Sequence, residues 1–201
     1  MPLIKALEEL DKLLFIIIHN DSDHQVLDKV MLFVREPLTW IPLYIFILGY
    51  SIKVEKSRAW IFILLSIATF AITDVMSASV LKPMIGRLRP CYDASIHQFV
   101  RDIIDCGGVY SFPSSHAANH FGLASFWFWS IQKINGRKWW WLWAWAFIIG
   151  YAQIYVGKHF PLDVAGGALL GIVAGSWMAK LFAFFITYPF YKEKAPDAAL
   201  Y

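Results

Sequence analysis

Five long apolar stretches, at about 38–52, 59–81, 113–131, 139–156 and 161–185, constrain this chain more than any other feature. Each is long enough to cross most or all of a bilayer as a helix, and only short polar segments separate most of them. In hydrocarbon every backbone N–H and C=O must be satisfied within the chain, which leaves helices or a closed barrel. The stretches lack the alternation of a barrel strand, so helices are expected. Composition agrees: 58% of the 201 residues are hydrophobic, with ten Trp and sixteen Phe, too apolar for an ordinary soluble domain. The expected fold is a single all-α integral membrane domain, 1–201. It consists of interfacial helices over 1–36 and a bundle of about five spans over 37–190, or six if the N-terminal helix also inserts.

The N-terminal segment has another character. Leu3, Leu7, Leu10, Leu14 and Ile17 recur at helical spacing among Lys5, Glu8, Asp11 and Lys12. That many charges suit an amphipathic helix on the membrane surface better than a span. No small-residue cleavage site follows a clean apolar core, so no signal peptide is expected. A polar turn at His19–His24 precedes a second short helix, about Gln25 to Arg35, which ends before Glu36-Pro37 because the residue before proline disfavours helix. Trp139, Trp140, Trp141 and Trp143 read as an interfacial belt, and Gly166, Gly167, Gly171 and Gly175 as a surface for close helix approach. Asp74, inside the second span, is costly in lipid. It is either a partner for the Lys82 end of a site or a helix-packing hydrogen bond.

Orientation follows from the basic loops. Lys53, Lys56 and Arg58, the 132–138 turn, Lys180 and the charged tail from Lys192 fall on one side, which the positive-inside rule makes cytoplasmic. The 82–112 loop, the 157–160 turn and the N-terminal helices then face outward. The net charge of +3 is modest, and no nucleic-acid partner is expected.

Three stretches on that outer face carry chemistry. In His159-Phe-Pro-Leu-Asp163, proline favours a helix start and the i,i+4 spacing lets a carboxylate reach an imidazole. Such a pair fixes the tautomer and frees the other nitrogen for attack, and the adjacent helix N-terminus suits an anion. A capping histidine beside a helix-entry Asp is the bland reading of the same residues. The other two stretches are Lys82-Pro-Met-Ile-Gly-Arg-Leu-Arg89-Pro90 and Pro113-Ser114-Ser115-His116.

In this order and at these distances the three resemble the motifs of the type 2 phosphatidic acid phosphatase (PAP2) family: Lys-x6-Arg-Pro, Pro-Ser-Gly-His and Arg-x5-His-x3-Asp. The resemblance covers residues 82 to 163. It implies a PAP2-type bundle in a bacterial inner membrane, with its site on the periplasmic or extracellular face and its C-terminus in the cytoplasm. It also implies hydrolysis of a lipid phosphate monoester or diphosphate through a phosphohistidine, without cofactor or metal. The implied substrates are undecaprenyl diphosphate, phosphatidylglycerophosphate or phosphatidate, and lipid A phosphates. His159 would attack phosphorus, Asp163 would orient it and His116 would protonate the leaving oxygen. Lys82, Arg89, Ser114 and Ser115 would hold the phosphate, Ser115 standing where the family has glycine. Arg87 is either a helper or an interfacial cation.

One position departs from the pattern: Gln153 stands where the family has arginine, and Lys158 is the nearest cation in sequence to replace it. A weakened enzyme that only binds lipid phosphate is therefore the alternative function. Vanadate-dependent haloperoxidases share the motifs but are usually soluble, which the apolar spans oppose. His116 and His120 could form a metal pair, with no clear third ligand; His19, His24 and His97 read as loop or surface histidines. Cys91 and Cys106, both in the outer loop, are either free thiols or a disulfide worth about 3 kcal/mol in an oxidising compartment.

Overall fold

A computed structural model describes residues 2–20 and 25–187 of the chain. Its helices are α1 (Pro2–Asn20), α2 (Gln25–Arg35), α3 (Ile41–Glu55), α4 (Ala59–Asp74), α5 (Lys82–Ile85), α6 (Ser115–Asn135), α7 (Trp141–Tyr155) and α8 (Pro161–Thr187). No strand occurs among the described residues. The helix ends are written in the chain. Pro42 stands in the first turn of α3, Gly86 and Gly136 cap α5 and α6 in left-handed conformation, and Ser114 caps α6 by accepting from Ala117 N–H at 3.4 Å.

Two continuous helical stretches, Pro37–Ile85 and Pro161–Thr187, are long and apolar enough to cross a membrane by length and composition. The first joins two expected spans: α3 runs through a tight turn at Lys56–Arg58 into α4. Between α4 and α5 the helix widens to a π-helix over Val75–Leu81, where an α-helix was expected. That correction changes the rotation from Asp74 to Lys82. Asp74 accepts from Asn119 Nδ2 of α6 at 3.0 Å, and Asn119 Oδ1 accepts from Thr73 at 2.7 Å. Asp74 thus makes the hydrogen bond between helices, and its charge also reaches Lys82.

The core is centred on α6, packed most closely against α8. A Cβ at Gly171 would lie 2.7 Å from Gly122 N, and one at Gly175 would lie 2.9 Å from Phe126 N. Only glycine admits such an approach. Near the far end Phe62, Phe126 and Phe182 interlock, with ring centroids 5.1 to 6.2 Å apart. Arg58 there donates to Ile186 O at 2.7 Å, capping α8 with a cation as its dipole favours. Buried Thr69 returns its hydroxyl to Leu65 O one turn earlier, and Thr73 gives its proton to Asn119, so neither is left unpaired in the apolar interior.

The amphipathic α1 lies the other way round from a soluble helix. Leu3, Leu7, Leu10, Leu14 and Ile17 are all exposed, whereas Asp11, Phe15 and His19 are buried at i, i+4 and i+8. The apolar stripe thus faces outward, and the protein-facing side carries two polar groups. This overturns the reading of His19 as a surface histidine. Its Nε2 accepts from Arg101 N–H at 2.7 Å, so the proton sits on Nδ1 and is donated to Tyr155 O at 2.7 Å. His97 is exposed, and His24 and the charged tail lie outside the described residues.

The segment from Gly86 to Pro113, expected to face outward, is a built structure. Leu88 pairs with Tyr110 in a short antiparallel bridge, and Cys91 and Cys106 are joined in a disulfide. Arg101 reaches His19 O at 2.8 Å and Asp28 at 3.2 Å, and Lys12 pairs with Asp93 at 2.8 Å. The segment is thereby tied to both N-terminal helices.

Candidate active site

The turn between α7 and α8 sets the central geometry. Gly157 has φ +83°, and a Cβ there would meet His19 Cε1 at 3.0 Å, so both conformation and space require glycine. The amides of Lys158 and His159 then fold back onto Gln153 O at 3.1 and 3.2 Å. Pro161 opens α8, and Asp163 is its third residue. From there the carboxylate reaches back to Phe160 N–H at 2.8 Å, satisfying a donor the helix cannot pair, as the acid of a capping box does.

His159 and Asp163 are both buried, with Nδ1 3.5 Å from Oδ2. That distance is too long for a full hydrogen bond. The carboxylate acts on the ring through a long, weak hydrogen bond and through its charge. Burial, seconded by Arg89 and Lys82 and opposed by Asp163, pushes His159 down to about 4. The ring is neutral at neutral pH, the form in which a nitrogen lone pair is available.

Asp163 is held from a second direction. Arg87 Nη1 donates to Asp163 Oδ1 at 2.8 Å, and Arg87 Nη2 donates to Asp11 Oδ2 at 2.5 Å. Asp11 also accepts from Leu162 N–H at 2.8 Å, and the guanidinium stacks 4.3 Å over the Phe160 ring. A chain of charge-assisted contacts therefore runs from α1 through Arg87 to the carboxylate facing His159. Burial raises the Asp11 pKa, opposed by its bonds to Arg87 and Leu162. Asp11 carried no functional reading in the sequence, and Arg87, left between helper and interfacial cation, belongs to the site.

The remaining motif residues gather at this end of the bundle. Lys82, following the π segment, donates to Ser115 Oγ at 3.0 Å. Arg89 Nε is buried without a hydrogen-bond partner among the described residues. Ser114 is committed locally: its amide donates to Asp163 O at 2.9 Å and its hydroxyl oxygen caps α6. It ties α6 to α8, and Ser115 is the serine that meets Lys82. His116 lies one turn from His120, whose Nδ1 faces His116 O at 2.8 Å and whose Nε2 lies 3.5 Å from Tyr44 Oη. No group of three or more His, Cys, Asp or Glu suited to a metal occurs among the described residues. Lys158 Nζ donates to the carbonyl of Asp105, and burial, then Arg89, lowers its pKa to about 8. Gln153 is buried, and its Nε2 has no hydrogen-bond partner among the described residues.

Residues 58–186 match the model of the PAP2 superfamily. The chain belongs to that superfamily. Among its relatives, a lipid A 4'-phosphatase of Bacteroides thetaiotaomicron is 33% identical over 156 residues, covering 74% of this chain and 66% of the relative. The chain thus spans just under two thirds of that protein's length. The undecaprenyl-diphosphatase BcrC of Bacillus subtilis is 27% identical over 81% of this chain and 79% of its own. The crystal structure of a transmembrane PAP2-type phosphatidylglycerolphosphate phosphatase from Bacillus subtilis superposes with a TM-score of 0.68 over 92% of this chain and 90% of that one, at 21% identity. This PAP2 protein therefore has the membrane-helical fold of that enzyme, and the matched region contains all three motifs.

Proposed function

We propose that this PAP2 protein is a membrane lipid phosphatase that cleaves a phosphate ester or diphosphate through a phosphohistidine at His159. The observation that carries this reading is the buried, neutral His159 facing Asp163 at the end of the bundle where Lys82, Arg89 and Ser115 also lie. Phosphoryl transfer needs chiefly positioning and charge stabilisation, and these groups supply both. With Nδ1 turned to Asp163, Nε2 attacks phosphorus. The bond from phosphorus to the lipid oxygen breaks, and His116 gives that oxygen its proton. Water then attacks phosphorus as His116 takes its proton, the bond from phosphorus to His159 Nε2 breaks, and phosphate leaves with the free imidazole restored. Lys82, Arg89 and Ser115 hold the nonbridging oxygens.

The five expected spans correspond to α3, α4 with its extension, α6, α7 and α8. The basic turns at their far ends support an orientation with those ends in the cytoplasm and the site at the outer leaflet of the inner membrane. The substrate is a phosphorylated lipid of that leaflet, with lipid A phosphate favoured by the Bacteroides relative and undecaprenyl diphosphate by the Bacillus one. Purified protein in detergent, offered lipid A, undecaprenyl diphosphate and phosphatidylglycerophosphate, is expected to release phosphate from at least one. His159→Ala is expected to lose more than about a thousandfold in rate. Release from none of the lipids would refute the phosphatase reading. Full activity in His159→Ala would remove the proposed nucleophile.

A further inference from the structure

Arg35 is the last residue of α2, and the backbone around it is pinned. Trp40 Nε1 donates to Val34 O at 2.8 Å, and Thr39 Oγ1 to Phe33 O at 2.7 Å. Asp28 anchors the same helix to α7 by accepting from Tyr155 Oη at 2.7 Å. The Arg35 side chain, by contrast, makes no hydrogen bond or ion pair with any described residue, although its Nε is buried from solvent. Glu36, the adjacent carboxylate, is exposed and forms no ion pair with it. A buried guanidinium donor without an acceptor is unfavourable and calls for a partner.

Its surroundings say which kind. Arg89 Nε and Gln153 Nε2 are also buried and have no partner among the described residues, so donors from α2, the 86–113 segment and α7 are each left without an acceptor there. Geometry brings the end of α2 to this place: Trp40, bonded to Val34 O beside Arg35, packs 5.9 Å from the Trp145 ring of α7, which lies 5.1 Å from His120, one turn from His116 on α6. Burial first, then the Arg89 charge and the Arg35 charge, disfavour protonation of Lys158. Burial also lowers the Arg89 pKa, with Asp163 opposing and Arg35 adding to the effect. Like charges brought together on separate elements repel unless an anion lies among them. A guanidinium suits a phosphate because its planar fork offers two parallel donors.

We propose that Arg35 is a phosphate ligand of this site, contributed by the N-terminal helical segment rather than by any of the three motifs. It supplies the cationic contact that glutamine at 153 does not, while Lys158 is engaged by the Asp105 carbonyl. The proposal rests on the reading of the site as a phosphatase. It adds that the membrane-surface segment completes the anion pocket.

Orthovanadate and inorganic phosphate are the probes. Their affinity is measured by thermal shift of the full-length protein in detergent, alongside kcat and KM on whichever phosphorylated lipid it turns over. Arg35→Gln is expected to weaken both anions about tenfold or more, with a matching fall in kcat/KM. Arg35→Lys keeps the charge but loses the fork and is expected to lose about threefold. Lys29→Gln, exposed on the same helix, is expected to change neither. Wild-type anion affinity in a folded Arg35→Gln protein would overturn the proposal. If that variant does not fold, wild-type affinity in Arg35→Lys would do so. Wild-type protein that binds orthovanadate but hydrolyses no lipid would refute the phosphatase reading alone and leave the Arg35 comparison decisive. Wild-type protein that binds neither anion would overturn both.

Discussion

His159 makes its own protonation a stability term. The unfolded chain takes up this proton below pH 6.5, whereas the folded site resists it down to about 4. Between those values the unfolded state binds more protons, so stability is fully present above pH 6.5 and is lost as pH falls toward 4. The difference corresponds to roughly 3 kcal/mol. Melting in detergent from pH 7.5 to 4.5 should therefore show a steeper loss for the wild type than for His159→Gln. Equal slopes would mean that burial does not hold His159 neutral. At this scale the i,i+4 spacing singled out His159 and Asp163, the resemblance to the PAP2 motifs singled out Lys82, Arg89 and Ser115, and the structure brings them to one end of the bundle. Local pattern alone gave Asp11 no role in the site and made His19 a loop or surface histidine, because their partners are remote. Leu162 N–H and Tyr155 O lie 151 and 136 residues away along the chain.

Helix α1 shows what periodicity can and cannot say. The leucine stripe marks an amphipathic helix, but which face meets the protein depends on what lies outside. In a membrane the apolar face has lipid to meet, and the polar face can turn inward if its charges find partners. Asp11 finds Arg87 and Leu162 N–H, so α1 becomes part of the support of Asp163. Asp11→Asn keeps the shape and removes the charge. It is expected to lower kcat about tenfold with little change in KM, and to lower stability by about 2 kcal/mol. Unchanged kcat would show that Arg87 holds Asp163 without help from α1. The π segment was equally hidden, since Val75–Leu81 carries no residue that distinguishes a widened helix from an α-helix. The glycines of α8 were legible, because small residues on an apolar helix have few other uses.

The molecule as a whole is a helical bundle whose far end is apolar and aromatic and whose other end concentrates charge. Helices α6 and α8 meet at glycine distance, so the Ser114–His116 turn and the His159–Asp163 turn are held together by one backbone interface. The N-terminal helices and the disulfide-linked 86–113 segment close over that end through Lys12, Arg87 and Arg101. The central claim is that this enclosed end carries a covalent phosphate on His159 during turnover. It is tested most directly by mixing the protein with a ³²P-labelled lipid substrate, quenching in alkali and locating the label by peptide mapping. An acid-labile, alkali-stable phosphate on the peptide containing His159, absent from His159→Ala, is the expected result. Label on another residue, or steady turnover with no covalent label at the earliest quench, would contradict it.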